Sequence, residues 1–209
     1  LLNGLYGQLQ GTRKEGSIRI ESSTAQLDLE EFLTNSLTFY ELNTELNWQY
    51  QNNNLILSTE QFDTHTQDFD LNIKGNLSFD EEAESPFLNL LVELSDAEVE
   101  TVSKYLPKNS PEKSKRWFKR SLVGGKIPYA KFVFRGRPKD YPFRNNDGVF
   151  LGYAEANLET LDYHPLWPPA DGINAGIMVN GDTVTIDVQS GYFFDSEITR
   201  TTAIIENLS

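Results

Sequence analysis

Phe69-Asp70-Leu71-Asn72-Ile73-Lys74-Gly75-Asn76-Leu77-Ser78-Phe79 is the stretch that decides the fold. Phe69, Leu71, Ile73, Leu77 and Phe79 occupy every second position apart from Gly75, with Asp70, Asn72, Lys74, Asn76 and Ser78 between them. Side chains alternate across a β-strand with a period of two, so the stretch predicts a strand with one apolar and one wet face. Working outward, Leu88, Leu90, Val92 and Leu94 repeat the pattern, as do Phe132 and Phe134. Ile173, Ala175, Ile177 and Val179 form a further run, followed by Val184, Ile186 and Val188. Near the end, Ile198, Thr202, Ile204 and Leu208 share one parity, interrupted by Arg200 and Glu206.

Turn signals punctuate these runs. Asn52-Asn53-Asn54 and Asn180-Gly181-Asp182 suit hairpins, because Asn and Gly tolerate positive φ. Short strands at regular spacing predict an antiparallel, mainly β architecture. One region departs from the alternation, and a two-helix insert is expected near residues 96–123. Asp96 is the expected cap of a short helix running through Lys104 and ending at Leu106-Pro107. Ser110-Pro111-Glu112 opens the second helix, with Ser at the N-cap and Pro at the first helical position. Trp117, Phe118 and Leu122 give that helix an apolar stripe, Lys113, Lys115, Arg116, Lys119 and Arg120 make the rest basic, and Gly124-Gly125 ends it. A basic amphipathic helix suits an anionic membrane surface. The reading preferred from sequence has the stripe on the sheet and the charges in water. A weak internal echo links Trp48–Ser78 with Ile177–Ser209, as repeated hairpin units would.

The chain has 209 residues, 31 acidic against 18 basic, a net charge of −13, and no cysteine. Nucleic-acid binding needs clustered Lys and Arg and is disfavoured. The absence of cysteine removes disulfides, thiol catalysis and Cys-based zinc sites. No apolar run is long enough for a membrane-spanning helix. The chain starts at Leu1 rather than Met and reads as a piece of a longer protein.

Chemistry-bearing motifs are scarce. His65 and His164 are the two histidines and have no partner at ligand spacing, so no metal or other cofactor is expected. Glu81-Glu82-Ala83-Glu84 reads as a solvated loop and Asn145-Asn146-Asp147-Gly148 as a tight turn rather than a calcium loop. No nucleophile elbow, phosphate loop or zinc helix is present, and no enzyme activity is expected. A sugar-binding or hydrolytic β domain would need Trp48 and Trp167 in the open beside carboxylates. The strands' apolar faces must be covered, and a sandwich, a barrel or a sheet curled into a groove would each do so.

From Tyr105 onward a set of motifs recurs in a characteristic order. It runs Tyr105-Leu106-Pro107, Trp117-Phe118, Gly124-Gly125-Lys126-Ile127, Phe134-Arg135-Gly136, Asp140-Tyr141-Pro142-Phe143 and Gly148-Val149-Phe150. It continues through Leu161-Asp162-Tyr163 and Leu166-Trp167-Pro168 to Ala203-Ile204-Ile205-Glu206. In this the chain resembles the YhdP family of AsmA-like proteins, related to TamB and to eukaryotic bridge-like lipid transfer proteins. Residues 1–85 fit in style, with endings such as Gly7-Gln8-Leu9 and Gly75-Asn76-Leu77.

The resemblance implies an extended, twisted antiparallel sheet curled into a hydrophobic groove. It implies a periplasmic body, anchored to the inner membrane of a Gram-negative bacterium, that moves phospholipid between inner and outer membranes. It carries no catalytic residues. On this reading acyl chains are the partner, and the expected groove lining is Phe69, Leu71, Ile73, Leu90, Val92, Phe132, Phe134, Ile177, Val179, Val184 and Ile186. The chain is then one fragment of a longer repetitive groove, with possible sub-units 1–85 and 86–209. Gly136 and Gly148 are expected at turns or bulges, Phe143 as a plug, and Leu166-Trp167-Pro168-Pro169 as a break at the sheet edge. The alternative is a structural or interaction module of a cell-envelope assembly, its apolar faces closed on each other.

Overall fold

The computed structural model describes residues 2–28, 36–106, 108 and 112–206. The strands are β1 (Leu2–Asn3), β2 (Gly7–Gly11), β3 (Glu15–Leu27), β4 (Leu37–Gln51), β5 (Asn54–His65), β6 (Asp70–Asp80) and β7 (Phe87–Glu98). They continue with β8 (Leu122–Gly136), β9 (Val149–Leu161), β10 (Ala170–Asn180), β11 (Thr183–Phe193), β12 (Ser196–Ile198) and β13 (Thr201–Ile205). Between β7 and β8 lie a 3₁₀ turn, Val99–Tyr105, and the helix α1, Glu112–Ser121.

All the described strands join one open antiparallel sheet. From β3 to β11 each strand pairs with the next in sequence, while β1 and β2 both pair with β3, and β12 and β13 both pair with β11. The β6–β7 ladder runs from Asp70 opposite Ser95 to Ser78 opposite Phe87, unbroken across the loop around residue 85. Asn52 and Asn53 take φ of 51° and 59° and close β4 onto β5 in two residues. Gly181, with φ 58°, does the same for β10 and β11.

The register places one row of residues on a single face across eleven strands. It reads Gly7, Ile20, Thr44, Phe62, Ile73, Val92, Phe132, Gly152, Val179, Val184 and Ile205, each opposite the next. At the usual spacing between strands this row is about 50 Å long. We call the face that carries it the inner face. Both buried clusters lie on it: Ile20, Ala25, Phe39 and Leu42 on β3 and β4, and Val99 with Ala156, Leu158, Ala170, Ile173 and Ala175 at β9 and β10.

Bulges hold that face in phase. On β5, Leu55 and Leu57 sit at odd positions but Phe62 and Thr64 at even ones; between Thr59 and Phe62 an extra residue re-phases the strand. Opposite this bulge, Gly75 has φ 136°, and a Cβ there would overlap the Asn89 carbonyl oxygen. A bulged strand bends and twists more strongly, and β8 and β10 are bulged as well.

Several sequence expectations need correction. Asp96 caps no helix: it lies in β7 with φ 55°, opposite Pro128, and the 3₁₀ turn starts at Val99 after an uncapped Glu98. Gly124 and Gly125 do not end α1, because the chain re-enters the sheet at Leu122 and both glycines serve irregularities in the β8–β9 ladder. A Cβ on Gly125 would meet the backbone of Asn157 and Leu158. The Leu166-Trp167-Pro168-Pro169 break joins β9 to β10 inside the strand order, not at a lateral edge. The final alternation also fails. β12 and β13 are separate strands, and Ile205 rather than Ile204 shares the row of Val184. Pro107, Ser110, Pro111, Asn207, Leu208 and Ser209 lie outside the described residues.

Replacing Gly75 by Ala is expected to destabilise the protein by about 1–3 kcal/mol, since it adds both a strained φ and a backbone clash. Urea denaturation followed by circular dichroism checks this; an unchanged midpoint would show that the bulge can shift.

Candidate functional site

Three adjacent rows bring the expected lining residues together. The central one contains Ile73, Val92, Phe132, Gly152, Val179 and Val184. Leu71, Leu94, Ala130, Ala154, Ile177 and Ile186 form the second. Gly75, Leu90, Phe134 and Phe150 form the third. No Asp, Glu, Lys, Arg or His stands in these rows. Ten of the eleven candidates fall in them. Phe69 does not: it precedes β6, in the β5–β6 turn, with its ring edge-on to Tyr105 at 4.9 Å.

Most of this lining is half-buried rather than enclosed, because among the described residues no second sheet or helical layer lies over its centre. Gly152 leaves space on the floor that the Phe132 ring leans into. Phe132 and Phe150 lie parallel, with centroids 6.3 Å apart. The small residues Ala130, Ala154, Ala156 and Ala175 keep the floor low at β8 to β10.

Two elements fold over the margins of this face. At the strand ends bearing His65, Glu98 and Leu161, the 3₁₀ turn inserts Val99, 1% exposed, onto Ala156, Leu158 and Ile173. Its far end is tied to the β5–β6 turn. Lys104 Nζ donates to both Asp68 oxygens at 3.0 and 2.9 Å, and the Tyr105 hydroxyl donates to Oδ2 at 2.7 Å. Burial alone would raise the Asp68 carboxyl pKa, but the hydrogen bonds from Lys104 and Tyr105 and the Lys104 charge outweigh it and leave the pKa lowered. Burial and the Asp68 carboxylate raise that of Tyr105.

At the opposite strand ends, residues 137–148 fold inward. Phe143, 7% exposed with φ 66°, is seated against Gly136 and Gly148, where any Cβ would strike its ring. It meets Phe134 at 5.3 Å, while Tyr141 meets Phe150 at 5.9 Å and donates its hydroxyl hydrogen to the Gly181 carbonyl at 3.0 Å. The plug expected at Phe143 is present, and the two glycines are its seat.

The outer face is mostly polar and carries ion pairs such as Lys131–Glu93 at 3.0 Å and Arg19–Glu45 at 2.9 Å. Val133, Leu151, Tyr153 and Met178 are among its apolar residues and line a shallow depression of 640 Å³. From Val149 to Ala154 both parities of β9 are apolar or small, which is why Phe150 escaped the sequence reading. Trp48 is no open platform: it lies over Gly11 and Gly16, and its indole N–H donates to the Thr12 carbonyl at 3.1 Å. His65 accepts or donates a 2.5 Å bond with Asp70, and this bond together with the Asp70 charge raises its pKa. Among the described residues no group of three or more His, Asp or Glu is placed to hold a metal ion.

The family described as YhdP protein matches residues 2–209. The chain belongs to the YhdP family. It is similar to the intermembrane phospholipid transporter YhdP of Escherichia coli strain K12, 21% identical over 189 residues. That alignment covers 86% of this chain but only 15% of the E. coli YhdP, so the chain spans a small part of that relative's length. No solved structure matches.

Asp68→Ala should cost about 2 kcal/mol by stranding Lys104 and the Tyr105 hydroxyl, and denaturant titration measures it. Because the folded Asp68 pKa is lowered, its stabilisation is complete above the unfolded carboxyl pKa and is lost as pH falls through the folded one. The wild-type advantage over Asp68→Ala should therefore shrink on acidification below the ordinary carboxylate range; a constant difference would remove Asp68 from the tie.

Proposed function

We propose that this chain is a segment of a periplasmic lipid conduit, whose inner face receives the acyl chains of phospholipids moving between the inner and outer membranes. The observation that carries this reading is the unbroken, charge-free apolar face running at right angles to the strands. An acyl chain laid on it gains about 0.8 kcal/mol for each methylene removed from water. A dry structural core would call for a second layer, and the described residues supply only the two marginal covers. The family match and the phospholipid-transporter relative support the same reading.

The lining proposed for the acyl chains is Leu71, Ile73, Leu90, Val92, Phe132, Phe134, Ile177, Val179, Val184 and Ile186, with Phe150 added. Phe69 belongs to the margin tie. Headgroups stay at the wet rims. Passage along the face makes and breaks no covalent bond, so no catalytic residue or cofactor is assigned. Membrane anchoring is assigned to a part of the protein outside these residues, and the inner membrane of a Gram-negative bacterium is its proposed site.

Val179→Asp puts a carboxylate mid-floor beside Gly152 and Val184. The protein should fold, since this position is half-open to water, but co-purifying phospholipid measured by mass spectrometry should fall at least tenfold. Undiminished lipid in a folded variant would sink the conduit and favour a structural module of the envelope.

A further inference from the structure

One rim of the sheet combines features the conduit does not use. On α1, five of the ten residues are Lys or Arg and one is Glu, in a chain of net charge −13. At about 100° per residue, Ser114, Phe118 and Ser121 share one side, and Ser121 is fully buried. Lys113, Arg116, Lys119 and Arg120 sweep the remaining arc. Lys115 pairs with Glu112 and Arg120 with Asp162. Lys113, Arg116 and Lys119 have no ion-pair partner among the described residues.

The same rim exposes large apolar side chains. Trp117 is 37% exposed and donates its indole N–H to the Tyr163 carbonyl, which fixes α1 against the β9–β10 connection. That connection holds out Leu166, 86% exposed, and Trp167, 59% exposed. Trp167 lies 6.4 Å from Phe193, and Phe193 lies 5.1 Å from Phe194, itself 71% exposed. Asp195 and Glu197 flank Phe194, so the cationic part of the rim is the α1 side.

Exposed Trp and Leu beside unpaired Lys and Arg match a lipid–water interface, where amphipathic rings sit at headgroup level and cations meet phosphates. We propose that the rim formed by α1 and the 162–169 connection docks on the surface of a bilayer containing anionic phospholipid. Charge complementarity selects this occupant: the helix is positive where the rest of the chain is strongly negative. The docking surface lies outside the groove floor and stands independently of the conduit.

The test is flotation of the purified protein with vesicles of phosphatidylcholine alone or with 30% phosphatidylglycerol (about one lipid in three anionic). Wild type should float with the anionic vesicles and not the neutral ones, and less as salt rises. The triple variant Lys113→Ser, Arg116→Ser, Lys119→Ser should bind about 100-fold more weakly. Leu166→Ser with Trp167→Ser should also lose binding, while Val179→Asp should keep it, which separates failure of the rim from failure of the conduit. All these rim positions are exposed, and circular dichroism confirms that the variants fold. Equal flotation with both vesicle types, no flotation, or wild-type binding by either rim variant overturns the proposal; a protein partner that needs the same residues in the absence of vesicle binding overturns it too.

Discussion

A single requirement organises this molecule: the inner position of successive strands must stay apolar while the ladder runs on. Alternation alone cannot meet it over strands of 11 to 15 residues that also bend. A one-residue slip would turn a strand's whole apolar set to water. The chain meets the requirement by inserting residues where phase must change, as between Thr59 and Phe62, and by positive φ at Glu41 and Asp96. Each device bends the strand it repairs. Keeping one face in phase and curving the sheet are therefore the same structural act, and the glycines opposite the bulges, such as Gly75, are where partner strands come too close for a Cβ.

Much of this was legible because it depends on period two. The β6, β7, β10 and β11 patterns and both Asn-containing hairpins needed only alternation and turn chemistry. The misses share a cause. Asp96 has the look of a helix cap, but a cap is defined by the helix after it, and here the residue marks a phase change opposite Pro128. Phe69 has the right parity, yet the strand begins after it. β9 hid its inner face because Gly152, Ala154 and Ala156 carry little hydrophobic signal, whereas outward Val149, Leu151 and Tyr153 carry more. Ile204 and Ile205 differ only by a strand break that single-residue parity cannot register. The ties that close the margins, Asp68 to Lys104 and Tyr141 to Gly181, join residues 36 and 40 positions apart and leave no local signature.

Those margins depend in turn on the small residues. Val99 reaches the floor because Ala156 and Ala175 leave room above it, and Phe143 reaches Phe134 because Gly136 and Gly148 lack Cβ atoms. A large side chain at any of these sites would lift a cover or displace a plug. The positions with the least hydrophobic signal thus decide how much of the apolar face remains open, and large residues such as Phe132 and Phe150 decide what the open part is made of.

The inner face, whose row of residues runs about 50 Å and which lies half-open and apolar from β6 to β11, invites a second copy to cover it. Charge works against that. The acids are concentrated on the outer face, the loops and the rims, and a chain of net charge −13 repels its own kind. The paired outer charges, including Lys131 with Glu93, contribute little to stability individually. Their arrangement matters more: opposite signs meet across strands, so the ladder is not strained while the excess of acid keeps copies apart. Salt at physiological strength screens both this repulsion and the attraction of the α1 cations to an anionic surface beyond about 8 Å. Only contacts closer than that survive, and the exposed Leu166 and Trp167 are placed to make them.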